Sequence, residues 1–373
     1  MIRVLHVIDH LGLGGAQSAV LDLVRNRDLH QVECEVATMH GRGPFAEAIE
    51  QIGIPVHSLS TGRWPPHYLW NFAKLVRDGH YDILHFHLSG SNWIAKPLAA
   101  VLGQGLRISH DHASGDIRFR GLASLLPDAL AHGASHRIIA VSDGVKEFLT
   151  RWEGIPADLV KVVPNGIDTG VFQPPTCEDR QKARETLGIS GQAFTVGAMG
   201  RLAPEKNFSL LVALAGVLPD VQFLIAGEGP ERPKLEALIK ASNIGNRVRL
   251  LGQVTDRAAF YSALDAFVLP SLYEGLPMAL LEAMAMGLPC VSSDLPDIFH
   301  ALRGGDDGLL CSPTDPRSFV NAISQLTHNT GFAKTLGMAA RRRCLAMFSA
   351  KTSAAAVENI YRLELLFARG QGH

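Results

Sequence analysis

A chain of 373 residues is too long for one small core and implies two domains. Its 47% hydrophobic and 19% charged residues describe an ordinary globular protein, and the absence of any run of about 18 apolar residues argues against a membrane span. A net charge of −1 excludes a global attraction to nucleic acid, and neither half is biased: Lys+Arg minus Asp+Glu is 15 − 17 = −2 up to Asp168 and 20 − 19 = +1 beyond it.

Met1-Ile2-Arg3-Val4-Leu5-His6-Val7 reads as a strand, not a signal peptide. Six further short apolar runs are strand candidates: Glu33–Thr38, Val56–Leu59, Ile83–His87, Leu106–Ser109, Arg137–Val141 and Lys161–Val163. Amphipathic stretches such as Ala16–Val24 and Asn92–Leu102 lie between them. Short strands alternating with helices imply a parallel, doubly wound sheet, which takes ligands beyond its strands' carboxyl ends. Gln173-Pro174-Pro175-Thr176 reads as a linker, and the alternation then restarts with Phe194–Ala198, Gln222–Ala226, Val248–Leu251, Ala266–Leu269, Cys290–Ser292 and Leu309–Cys311. The fold class is therefore α/β, with two Rossmann-like domains facing a central cleft: residues 1–172, residues 173–348, and a closing segment 349–373. A last helix is expected from Ser349 to Leu366, burying Ala356, Ile360, Leu363 and Phe367.

Chemistry concentrates after the strands. Gly12-Leu13-Gly14-Gly15-Ala16-Gln17 follows the first strand and opens the first helix, where glycine lets backbone approach a ligand. It is not GxGxxG, and no acidic residue marks a ribose site beyond it. Gly200-Arg201-Leu202-Ala203-Pro204-Glu205-Lys206-Asn207 follows the first strand of the second half. Arg suits bidentate oxygen contacts and Lys a point charge, so the pair could neutralise a diphosphate. A solvated loop is the plainer reading of two such charges, but not at a strand's carboxyl end.

In Tyr273-Glu274-Gly275-Leu276-Pro277-Met278-Ala279-Leu280-Leu281-Glu282, one carboxylate precedes a tight turn and a second lies inside the following helix. Pro277 suits a helix start, Gly287 and Pro289 a stop. The helix N-terminus offers free N–H groups to a phosphate. The apolar residues around Glu282 argue that it is buried and needs partners, for which ribose hydroxyls qualify.

Of the 16 histidines, 13 precede Asp168, which places any titratable chemistry on that side. His85 and His87 end a strand and are read as facing opposite sides; His110-Asp111-His112 follows the next strand. A metal is discounted, because no carboxylate or Cys cluster stands at ligand spacing. Hydrogen bonding to a sugar is the better role. Asn165-Gly166 reads as a turn, and Arg341-Arg342-Arg343 as a solvated helix face. The stretch Arg63–Arg77 mixes Trp64, Trp70 and Phe72 with Lys74 and could touch a membrane surface, or pack on its own domain. Cys34, Cys177, Cys290, Cys311 and Cys344 lack CxxC spacing, as expected of reduced cytosolic thiols.

The order of these pieces is more specific than any one of them. Gly14-Gly15, Val141-Ser142, Pro164-Asn165-Gly166-Ile167-Asp168, Gly200–Asn207, Ile225-Ala226-Gly227-Glu228-Gly229-Pro230 and Glu274-x7-Glu282 together resemble the family-4 retaining glycosyltransferases of the GT-B fold, also called group 1. The resemblance covers nearly the whole chain. It implies that Arg201 and Lys206 contact the donor diphosphate and that Glu282 holds the nucleotide ribose. Glu274 would bond the donor sugar, beside the backbone N–H groups of Gly275, Leu276, Pro277 and Met278 (proline itself offering none). Gly14 and Gly15 would pass near the phosphates, Asn165 would line the substrate site, and His112, with His110 as rival, would lie near the transferred sugar. The final helix would cross back onto the first domain. Where such proteins often carry Gly-Gly-x-x-Glu, this chain has Asp294-Leu295-Pro296-Asp297.

The implied reaction moves a sugar from a nucleoside diphosphate sugar to an acceptor hydroxyl with retention. No cofactor is expected, and no metal, since no Asp-x-Asp motif appears. The expected setting is surface polysaccharide or glycolipid synthesis in the cytoplasm, with a saccharide or lipid-linked acceptor and peripheral contact at the inner face of the cell membrane. A GT-B sugar-nucleotide epimerase and a non-catalytic nucleotide-sugar-binding protein are the alternatives; an NAD-dependent oxidoreductase is disfavoured by the missing GxGxxG.

Overall fold

The computed structural model describes residues 1–60, 65–112, 125–189 and 193–370. The chain folds as two compact units. One is Met1–Gly166 completed by the final helix Ala350–Gly370; the other is Ile167–Ser349. The division falls at Gly166/Ile167 rather than after Phe172. Ile167 donates its N–H to the Phe348 carbonyl at 2.8 Å and bridges to Ser349, which ties it to the second unit.

The first unit holds seven strands: β1 (Ile2–Ile8), β2 (Val32–Thr38), β3 (Val56–Ser58), β4 (Ile83–His87), β5 (Leu106–Asp111), β6 (Arg137–Ala140) and β7 (Val160–Val162). They are parallel, in the order β3-β2-β1-β4-β5-β6-β7. The second unit holds β8 (Phe194–Met199), β9 (Val221–Ala226), β10 (Val248–Gly252), β11 (Ala266–Leu269), β12 (Cys290–Ser293) and β13 (Leu309–Cys311). These too are parallel, in the order β10-β9-β8-β11-β12-β13. Most strands coincide with largely apolar runs of the sequence, as strands covered on both faces require, while the outer strands β2, β3 and β7 also carry polar residues. Strand order reverses between β1 and β4 in one sheet and between β8 and β11 in the other. The carboxyl ends at such a reversal form the natural ligand crevice of an open α/β sheet.

The final helix buries Ala350, Ala354, Val357, Ile360 and Tyr361 against the core that Val4, Ile8, Ile83 and Ile108 build. Of the expected stripe, Ile360 is in that core and Ala356 lies against it, while Leu363 and Phe367 are exposed. The true stripe, 350-354-357-361, keeps the same spacing one position out of phase. Glu358 accepts from the Asp28 N–H at 2.8 Å and Glu364 from Arg137 Nε at 2.6 Å, which sets that phase. Arg341 and Arg343 are not merely solvated. Arg341 bonds the carbonyls of Phe172 and Ala285, and Arg343 those of Ala301 and His300, within the second unit.

Candidate active site

The second unit gathers its charges at the β8/β11 reversal. After β8 the chain runs through Gly200–Ala203 into a turn of 3-10 helix, Pro204–Lys206. The loop after β9 holds that segment in place through backbone alone. Gly200 donates to Ala226 O at 3.0 Å, Leu202 to Glu228 O at 2.9 Å, and Glu231 to Leu202 O at 2.9 Å. Gly227 has φ +137, and a Cβ there would lie 1.9 Å from the Gly200 carbonyl oxygen, so only glycine fits. The Ile225–Pro230 motif therefore acts by seating the Arg201 loop. Arg201 is exposed and has no ion pair among the described residues.

Lys206 instead reaches Glu274 after β11: Nζ donates to Oε1 at 2.6 Å, and Ser271 Oγ donates to the same oxygen at 2.6 Å. Leu272 donates to the Glu205 carbonyl at 2.8 Å, clamping the two loops together. Glu274 is 8% exposed, and Gly275, Leu276, Pro277 and Met278 are all buried. Pro277 sits at the N-cap of the helix Met278–Ala285, whose stop is Gly287 at φ +77. The helix thus begins one residue later than the proline suggested.

Glu282 is fully buried in that helix. It accepts from Arg257 Nη1 through one oxygen and from Tyr261 Oη at 2.9 Å through the other. The buried carboxylate has its partners within the chain, Arg257 and Tyr261. Burial pushes the Glu282 carboxyl above the usual carboxylate range, opposed by Arg257 and Tyr261. Burial and the neighbouring Glu282 push Tyr261 well up. Asp297, in the loop that lacks the usual glycines, is buried at the start of the helix Ile298–Ala301.

At the β1/β4 reversal the first unit presents imidazole. His85 and His87 project from the same face of β4, their rings 4.3 Å apart, not to opposite sides. The side-chain period of a strand is two, so residues two apart share a face. Parallel register sets His6 beside His85 and His87 beside His110. His112 stacks on His110 at 4.3 Å. His6 Nδ1 and His87 Nε2 are 3.1 Å apart, and His87 Nδ1 and His112 Nε2 3.2 Å. His85 Nδ1 meets Tyr361 Oη at 2.6 Å. Burial lowers all these rings: His6 to about 3, His112 to about 4, and His85, His87 and His110 well below the ordinary value. They are neutral at pH 7. Asn165, 4% exposed, faces the same end and opposes the drop at His112. Gly14 is the extended N-cap of the helix Gly15–Arg25 after β1.

Residues 179–343 match the family described as Glycosyl transferases group 1, and residues 13–171 match Glycosyltransferase Family 4. The chain belongs to the group 1, family 4 glycosyltransferases.

This transferase is 29% identical to the putative glycosyltransferase EpsF of Bacillus subtilis, over 78% of this chain and 79% of that one. It is also 29% identical to the UDP-Gal:alpha-D-GlcNAc-diphosphoundecaprenol alpha-1,3-galactosyltransferase of Escherichia coli, over 69% and 70% of the two chains. The crystal structure of Anabaena Alr3699/HepE in complex with UDP and glucose aligns with a TM-score of 0.87 at 22% identity, covering 96% of this chain and 99% of that one. The fold is GT-B, and the reaction class is sugar transfer.

The transferase brings Arg201, Lys206, Glu274 and the start of the 278–285 helix to one strand reversal, and His110, His112, Asn165 and Gly14 to the carboxyl end of the other sheet. Glu282 stands apart from Glu274 in its partners. Sequence reading missed Arg257, Tyr261, Ser271, His6 and Tyr361. Arg257 and Tyr261 are four apart on one helix, so they share a face, which is the only local signal that they act together. His6 carried the same signal as His85, a histidine inside an apolar strand.

Proposed function

We propose that the transferase moves a hexose from a UDP-sugar to an acceptor hydroxyl with retention of the anomeric configuration, and that the transfer needs no divalent ion at the diphosphate. The observation that carries this is the convergence of Arg201, Lys206 and a helix N-terminus on the β8/β11 reversal. Fixed positive charge of this kind can stabilise a departing diphosphate in place of a metal. In this reading Arg201 and Lys206 take the diphosphate, and Glu274, released from Lys206, bonds hydroxyls of the donor sugar. The Gly275, Leu276 and Met278 N–H groups lie beside them, and Glu282 turns to the ribose when Arg257 yields. On the first unit, Gly14 and Gly15 approach the phosphates, and His112, or its rival His110, attends the transferred sugar with Asn165. The acceptor attacks the face from which the diphosphate leaves, and the leaving phosphate takes its proton. This reading assigns no carboxylate as the nucleophile of a double displacement.

Relatives and structural neighbours whose names carry UDP-Gal, UDP and UDP-glucose support the donor. The diphosphoundecaprenol in one relative's name supports a lipid-linked saccharide acceptor and a role in polysaccharide or glycolipid synthesis. Trp70, Lys74 and Arg77 form one exposed stripe on the helix Pro65–Gly79, opposite buried Phe72 and Val76, and suit peripheral contact with an anionic membrane face in the cytoplasm. Arg63 and Trp64 lie outside the described residues. No described helix is long and apolar enough to cross a membrane.

The test is a thermal-shift panel of UDP-, GDP- and ADP-sugars, followed by labelled transfer with the stabilising donor and a lipid-linked acceptor. The expected result is stabilisation by a UDP-sugar, a product of the donor's anomeric configuration by NMR, and no stimulation by added Mg2+ or Mn2+. An inverted product, or dependence on either ion, overturns the mechanism. Epimer formation without acceptor overturns the transfer.

A further inference from the structure

We propose that His6, His85 and His87 form a three-imidazole site for a zinc-class divalent ion, its fourth position left to water, separate from the donor chemistry. One ring nitrogen from each lies within 4.8 Å of the other two. His6 Nδ1 and His87 Nε2 stand 3.1 Å apart, close to the ~3.3 Å that separates two nitrogens on one tetrahedral zinc.

Hydrogen bonding alone does not account for the cluster. A neutral imidazole has one donor and one acceptor, so the chain His6–His87–His112 can satisfy both nitrogens of His87. His85 Nε2 remains buried without a partner, although its Nδ1 is held by Tyr361. Orphaned polar atoms at such depth are costly and rare. An ion among the three rings would occupy His85 Nε2.

Two of the three rings carry the outer contact a ligated histidine needs. A metal-bound imidazole is oriented by a hydrogen bond at its other nitrogen. His85 has Tyr361 Oη at 2.6 Å there, and His87 has His112 Nε2 at 3.2 Å. A second trio, His87, His110 and His112, shares His87, but both nitrogens of His110 lack partners, so its orientation is not secured. Three neutral imidazoles without a carboxylate favour Zn2+ or Co2+ over Mg2+ or Ca2+. The rings are 0–3% exposed, so the ion enters during folding and, through Tyr361, fastens the final helix to the sheet.

The full chain is purified, its metal content measured by mass spectrometry, and the chelator-stripped protein unfolded in denaturant and refolded with Zn2+ or Co2+ alone. The expected result is about one ion per chain, visible bands of four-coordinate Co2+, and a Zn2+-dependent rise in melting temperature. His6→Gln and His85→Gln lose the bands and the rise; His110→Gln keeps both. Absence of bands and of any shift in the wild-type chain overturns the proposal. So does a His110→Gln variant that loses the ion while His6→Gln retains it. Should His85→Gln fail to fold, His6→Gln and the wild-type cobalt spectrum decide. UDP-sugar binding is not a readout, so this site and the proposed donor chemistry fail independently.

Discussion

The two units share one topology and use its reversal point in opposite ways. At the β8/β11 reversal the loops carry charged groups, Arg201 exposed and Lys206 on Glu274, and the helices flanking β11 pair Arg257 with Glu282. At β1/β4 the strand ends carry five imidazoles, four of them buried, that desolvation keeps uncharged. A parallel sheet with a switch point is thus a mount, and the side chains at the strand ends decide whether it presents charged or neutral groups. The charged mount is kept from collapsing by internal counterions. The neutral one is held by ring packing and a few hydrogen bonds.

Four measurements break or sharpen that contrast. Arg257→Ala strips Glu282 of its cation inside the second unit and is expected to cost about 3–5 kcal/mol in urea unfolding, the usual penalty for an unpaired buried charge. A loss below about 1 kcal/mol would mean the pair is not needed to hold this end of the fold. Glu274→Ala should lower kcat roughly 10²–10³-fold, the scale of a lost transition-state contact, while UDP affinity changes little; equal turnover would remove Glu274 from the reaction. Arg201→Ala should weaken UDP binding by about 1.5–3 kcal/mol by calorimetry, and unchanged affinity would show that the exposed guanidinium meets no phosphate.

The smallest effect belongs to Lys96. Unlike Lys206, it is wholly buried, donating to Ser109 Oγ at 2.5 Å and Ser135 Oγ at 2.9 Å. Burial pulls it down to about 7, against 10.5 ordinarily, although Asp111 and Glu153 oppose the drop. Because the unfolded chain holds this proton more tightly, stability rises with pH above about 7 and is lowest below it. The rise from pH 7 to pH 8 should be about 1 kcal/mol, and Lys96→Met should abolish it. A variant with the same pH slope as the wild type would show that Lys96 is not the group responsible.

The strands were legible because most are short, largely apolar runs between helical stretches, and the loops after β8 and β11 stood out because charge follows such runs there. What was illegible depended on tertiary register. Nothing near Glu282 in the sequence names Arg257 as its cation. The facing of His85 and His87 followed from strand periodicity and was misread. That His6 joins them follows only once β1 is paired with β4. The phase of the last helix depended on where Asp28 and Arg137 waited for Glu358 and Glu364.

That last helix has a consequence for synthesis. Ala350–Gly370 leaves the ribosome after the whole second unit, yet it supplies Val357, Ile360 and Tyr361 to the core of the first. Until it emerges, the face of β1, β4 and β5 that bears His6, His85 and Ile108 lacks part of its apolar cover. The second unit, contiguous in sequence, can close while the first still waits. The nascent chain therefore leaves part of its imidazole-bearing face uncovered until the final helix emerges, and a chain stopped before Ala350 would leave it so.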